Sequence, residues 1–174
     1  MPRPRPWFER RFAFGDDASL FPCVLERLRG TPARLRDRLA GLSRDVLTGR
    51  APDGSWSIQE NVGHLQDLEP LWLGRVEDVL EGREVLREAD LTNARTHGAD
   101  HDARPTEEVL EGFTGERGRF VAALEALDDA QVVASALHPR LRKPMRLLDL
   151  ALFVAEHDDH HLARITAILR ERGA

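Results

Sequence analysis

Apolar residues recur at steps of three and four in four separate stretches of the chain, and no convincing alternation of apolar and polar residues interrupts them. The pattern predicts an all-α chain. The first helical region extends from about Ala18 to Leu47, with a break at Arg29-Gly-Thr-Pro32, where a capping threonine followed by proline reads as a restart. The second begins at Ser57-Ile-Gln-Glu60, a capping box in which the serine and glutamate side chains satisfy each other's free backbone N–H groups. It continues to about Glu81, with a bend expected at Pro70. The third opens at Pro105-Thr-Glu-Glu108 and reaches about Leu127, where Gly112, Gly115 and Gly118 weaken helix propensity but leave room for a close neighbour. The fourth follows Pro144 and ends near Arg172. The connector Gly49 to Trp56 is short enough to join antiparallel neighbours, whereas Gly82 to Arg104 can run back along a whole helix. A four-helix bundle with a crossover between helices two and three follows.

The fourth helix breaks its own rule. Its inner stripe reads Leu147, Leu150, Val154, His157, His161, Ile165 and Ile168, so two imidazoles stand where leucines belong. Buried imidazoles need partners, and a pair at i and i+4 is spaced to hold one metal ion. His64 lies on the flank of the second helix's stripe (Ile58, Leu65, Leu68, Trp72, Val76, Val79) and would complete a set of three from two helices. Three protein nitrogens leave a coordination position open, which marks a reactive site rather than a closed structural one. Zinc, nickel, iron and manganese all suit such donors.

Composition bounds the rest. The 174 residues suit a single domain, 1–174, whose first 17 residues form an extended N-terminal arm with a local arginine cluster that reads as a flexible end. Cys23 is alone, which excludes an internal disulfide and a cysteine-rich metal site and points to a reducing, cytoplasmic home. The formal net charge of -5 argues against a nucleic-acid binder, and the longest apolar run, interrupted by Asp149, is too short to span a membrane. Glu-x-x-His pairs on two helices and the His-Glu-x-x-His motif are absent, so neither a di-iron centre nor zincin peptide hydrolysis is indicated.

The run Trp56-Ser-Ile-Gln-Glu-Asn-Val-Gly-His64, the following Leu65-Gln-Asp-Leu-Glu69, and Ala155-Glu-His-Asp-Asp-His-His-Leu-Ala-Arg-Ile165 resemble the DinB/YfiT-like superfamily of four-helix-bundle metalloproteins. The likeness spans nearly the whole chain. It implies that His64, His157 and His161 bind a divalent ion, that the bundle runs up-down-down-up, and that the protein is a homodimer. It also implies, from some relatives, metal-dependent transfer or isomerisation using low-molecular-weight thiols such as bacillithiol or mycothiol. Three functions follow as expectations: a metal ion that ionises a thiol for attack on a small-molecule electrophile, a metal-dependent hydrolase, or a non-catalytic stress or ligand-binding protein.

The remaining candidates have simpler roles. His160 reads as peripheral to the site or supporting it, His97 and His101 as members of a solvated crossover loop, and His138-Pro139 as a turn. Glu60 is assigned to the capping box, while Glu156, Asp158 and Asp159 either hydrogen-bond the ligand imidazoles or face solvent.

Overall fold

Ser57 caps the helix that carries the first histidine. Its hydroxyl accepts the Glu60 N–H at 2.9 Å, Glu60 Oε2 accepts the Ser57 N–H at 2.9 Å, and the helix runs unbroken through Pro70 to Leu80. In the computed structural model, which describes residues 5–50 and 54–173, four long helices alternate with short elements. In chain order these are α1 (Phe21–Leu39), α2 (Arg44–Thr48), α3 (Ile58–Leu80), α4 (Ala94–Gly98), α5 (Thr106–Glu125), α6 (Asp129–Val133), β1 (Ser135–His138), β2 (Lys143–Arg146) and α7 (Leu147–Arg172).

Cross-helix pairs fix the directions. Gln59 meets Thr106 and Glu69 meets Arg117, so α3 and α5 run parallel; Arg27 meets Glu156 and Arg38 meets Thr166, so α1 and α7 do too. Asn61 meets His161 while Trp72 meets Phe153, so α3 and α7 are antiparallel. This is the up-down-down-up arrangement, and only the long Gly82 to Arg104 segment can join parallel α3 and α5. Each of α1 and α3 packs mainly on α5 and α7. The short connector therefore joins helices across a diagonal of the bundle, not the adjacent pair that its length suggested.

Two other expectations change. The predicted break at Arg29–Pro32 is absent: α1 is continuous, with Pro32 inside it. Proline leaves the carbonyl four residues earlier without its usual partner, and the buried Arg117 guanidinium supplies one, Nη1 donating to the Leu28 oxygen at 3.3 Å. Thr31 is correspondingly no cap; its hydroxyl donates to Asp158 Oδ2 at 2.8 Å. A small hairpin was also missed, β1 pairing antiparallel with β2 from Ser135↔Arg146 to His138↔Lys143. Four-residue strands flanked by Pro139 and containing Pro144 are too short to show a period of two.

The core has two apolar parts. One gathers Val24, Leu28, Trp72, Val76, Phe120, Leu124, Leu150 and Val154. The other gathers Leu35, Ile58, Val62, Leu65, Val109, Phe113, Leu162 and Ile165. Between Val154 and Leu162, α7 carries a buried polar layer, with His157 and His161 facing α3 and Asp158 facing α1 and α5. Of the three glycines expected to admit a neighbour, Gly112 does so, since a Cβ there would strike the Gln66 side chain; Gly115 and Gly118 have open space beside them.

The N-terminal arm, of which residues 1–4 lie outside the described residues, is fastened from residue 5 onward along α7 and the hairpin, not loose. Arg10 donates to the Glu156 carbonyl at 3.3 Å, Lys143 Nζ donates to the Phe12 carbonyl at 3.0 Å, and Phe12 packs on Phe153 at 4.8 Å between ring centroids. Among the described residues no helix is long and apolar enough to cross a membrane.

Candidate metal centre

His64, His157 and His161 come together in the middle of the bundle, each offering one nitrogen within 4.8 Å of the others. All three are buried. Burial pushes His64 down to about 4 and His157 and His161 well below the ordinary histidine value, with neighbouring imidazoles adding to the effect, Arg164 at His64 and His161 and Arg117 and Arg10 at His157. The rings are therefore neutral at neutral pH, the form that binds metals.

Hydrogen bonds decide which nitrogens are free. Asn61 Nδ2 donates to the Ser57 carbonyl at 2.7 Å, which turns Asn61 Oδ1 toward His161 Nδ1, 2.8 Å away. His161 must donate there, so its Nε2 carries a lone pair. Likewise His64 Nδ1 lies 3.0 Å from Thr96 Oγ1, and the Thr96 hydroxyl is directed to Asp67, so the histidine donates and its Nε2 is left open. His157 Nε2 sits 3.3 Å from His161 Nε2, while its buried Nδ1 has no partner. A lone pair crowded against a second imidazole nitrogen, with a third nearby, fits a shared divalent ion, and fixing the outer nitrogen to set the inner one is the usual way such ligands are oriented.

Asn61 and Thr96 are the supporting residues that sequence reasoning missed. The acids it nominated do other work. Asp158 binds Arg117, whose Nη2 donates to Asp158 Oδ1 at 2.9 Å and to Glu69 Oε1 at 2.5 Å. Two buried carboxylates share that guanidinium, and burial pushes Glu69 up to about 7 against the pull of Arg117. Glu156 and Asp159 pair with Arg27 on α1, and Glu60 stays in its cap with Arg50.

Of the other histidines, His101 and His138 depart from their expected places, while His97 and His160 keep theirs. His101 is 1% exposed, not solvated, and its Nε2 meets Asp67 Oδ2 at 2.8 Å. Gly63 permits this, because any Cβ there would collide with the His101 ring. Asp67 is held below the usual carboxylate range despite burial by hydrogen bonds from His101 and Thr96 and the charge of Arg95. His97 remains exposed, near Trp56. His138 closes β1 where the turn at Pro139 begins, and it is buried and faces Arg75 rather than solvent. His160 lies beside His161 without joining the cluster, and its Nδ1 has no partner.

The three histidines form part of the wall of a cavity of about 620 Å³. Trp56 and Trp72 lie against them, and Trp7 from the docked arm sets its edge against His157 at 4.8 Å between centroids. Arg75, Arg140 and Arg164 supply positive charge, and the lining carboxylates, Glu88 and Asp90, are exposed.

Bundle, crossover and histidine cluster together place the chain. It belongs to the DinB superfamily, whose sequence pattern matches residues 27–165. A Geobacillus kaustophilus protein, provisionally described as a metal-dependent hydrolase, is 29% identical over 152 residues, covering 84% of this chain and 82% of its own length. YfiT of Bacillus subtilis, described in the same terms, is 22% identical over 156 residues, or 86% and 84% of the two chains. The solved structure of YfiT, reported as an unusual four-helix bundle, superposes with a TM-score of 0.81 at 24% identity over 95% of this chain and 94% of that one. A Streptococcus pneumoniae protein superposes at 0.63 with 12% identity over 92% and 93%. The fold is thus a YfiT-like four-helix bundle.

Proposed function

We propose that this protein is a metal-dependent enzyme in which a divalent ion, zinc or nickel by preference, is held by His64, His157 and His161 and activates a low-molecular-weight thiol for transfer to a small electrophile. The observation that carries the reading is the convergence of three neutral imidazoles, with their free nitrogens inward, on the wall of a cavity large enough for a metabolite. The ion supplies Lewis-acid activation, lowering the pKa of whatever nucleophile it binds.

A thiol is favoured over water. A bound divalent ion ionises either nucleophile without a neighbouring base, but the thiol starts from the lower pKa. A thiol, with an ordinary pKa of about 8.5, is ionised by a bound cation alone. Cys23 is exposed and lies outside the cavity, so the thiol comes from solution. Trp7, Trp56 and Trp72 exclude water and orient the substrate. Hydrolysis is the second reading, supported by the descriptions of the Geobacillus and Bacillus relatives. We propose further that, on either reading, the protein works in the cytoplasm as a homodimer.

Metal analysis of the purified protein, followed by thiol conjugation of a generic electrophile and ester hydrolysis with and without chelator, tests the proposal. One ion per chain and chelator-sensitive conjugation are expected. A protein with all three histidines changed to alanine that retains its metal overturns the site, and turnover of ester alone selects hydrolysis.

A further inference from the structure

The same cavity contains a buried charge that the histidine cluster does not use. Arg75, on α3, is 1% exposed, yet it makes no ion pair within 4.0 Å with any carboxylate of the described residues. Its Nε and Nη2 donate to one carbonyl, that of Arg87, at 3.2 and 3.1 Å. The nearby Asp78 is engaged by Arg87. An uncompensated guanidinium inside a protein is costly unless something neutralises it.

The remaining contact of Arg75 strengthens the argument. Its Nη1 lies 3.2 Å from His138 Nε2, while His138 Nδ1 accepts the Leu141 N–H at 3.2 Å. A neutral imidazole carries one proton. Whichever nitrogen holds it, a neutral imidazole carries no negative charge, so this contact leaves the guanidinium uncompensated. Arg140, half-buried on the hairpin turn two residues after His138, adds a second guanidinium that likewise has no carboxylate within 4.0 Å among the described residues. An oxyanion beside this group would accept from Arg75 and Arg140 at once.

Trp72 links this corner to the metal centre. Its ring lies 5.4 Å from the Arg75 guanidinium carbon and 5.9 Å from the His157 ring. The exposed Phe8, with Arg140 over its ring at 5.2 Å, and Leu91 give the lining further apolar surface.

We propose that Arg75 and Arg140, beside the His138 ring, form an anion-binding subsite that takes the carboxylate of a small organic acid, whose apolar body lies on Trp72 and whose reactive end reaches the three histidines. The placement of the reactive end rests on the metal-enzyme reading above; the subsite itself rests on the unpaired charge. A single carboxylate matches the site better than a phosphate dianion, because the walls beyond the guanidinium groups are aromatic and would leave a second charge unsolvated.

Binding of benzoate to chelator-treated full-length protein, measured by calorimetry against its uncharged isostere benzamide and against inorganic phosphate, tests this. Benzoate is expected to bind about tenfold or more tightly than benzamide and to outcompete phosphate, and Arg75→Gln and Arg140→Gln should each weaken benzoate about tenfold. Equal binding of acid and amide, tighter phosphate, or two folded variants with unchanged affinity overturns the subsite. If Arg75→Gln does not fold, Arg140→Gln, on the hairpin turn, decides the matter alone. Bound zinc is counted in the same proteins before chelator treatment: a substoichiometric count in the unsubstituted chain defeats the metal reading while leaving the benzoate result to stand or fall by itself.

Discussion

At the scale of single residues, the site depends on side chains that never touch the proposed ion. Asn61 is held by the Ser57 carbonyl and in turn holds the proton of His161 on Nδ1, so replacing it frees both the ring and its tautomer. Asn61→Ala is expected to weaken zinc binding by about 10–100-fold, the usual cost of removing a partner that orients a ligand. His160→Ala, which removes an imidazole outside the cluster, should leave one ion per chain; competitive titration against a chromophoric chelator measures both. Equal loss in the two variants would show that His160 is a ligand and that the assignment of three is wrong. The ligands themselves were legible because leucine positions on a 3.6-residue stripe were filled by His157 and His161. Asn61 was not, since an asparagine in the first turn of a helix looks the same whether it serves the cap or a ring on another helix.

At the scale of elements, the crossover was legible as a length but not as a structure. Its buried anchor, His101, sits among Gly, Asp and Asn residues that read as a solvated loop, and only the bare Gly63 on α3 lets the ring come close enough to reach Asp67. The same segment delivers Thr96 to His64. A methyl group at position 63 would push His101 away and loosen the whole segment. Gly63→Ala is therefore expected to destabilise the protein by about 1–3 kcal/mol in urea unfolding, in spite of alanine's better helix propensity, and to weaken metal binding in parallel. A stabilised Gly63→Ala protein would mean that the crossover is not anchored there. His138 illustrates the same limit: it reads as part of a turn in its own segment, and its contact with Arg75 exists only once the hairpin folds back over α3.

At the scale of the whole molecule, so many buried histidines make stability a function of pH. Burial holds His64, His138 and His160 down to about 4, and His157 and His161 lower still, against an ordinary value of 6.5. The unfolded chain takes up these protons as pH falls below 6.5, whereas the folded chain resists until about 4. Their contribution is thus fully present above 6.5 and is lost as pH drops from there through 4. Glu69 acts in the opposite sense: raised to about 7 from 4.5, its contribution is present below 4.5 and lost as pH rises through 7. Five histidines outweigh one glutamate, and each differential proton changes stability by about 1.4 kcal/mol per pH unit. Metal-free protein is accordingly expected to unfold at steadily lower urea concentration as pH is reduced from about 7.5 to about 5, with the decline steepest below about 6. A midpoint that stays constant or rises over that interval would show that the imidazoles are already charged in the folded chain, and that the neutral cluster on which metal capture depends does not exist.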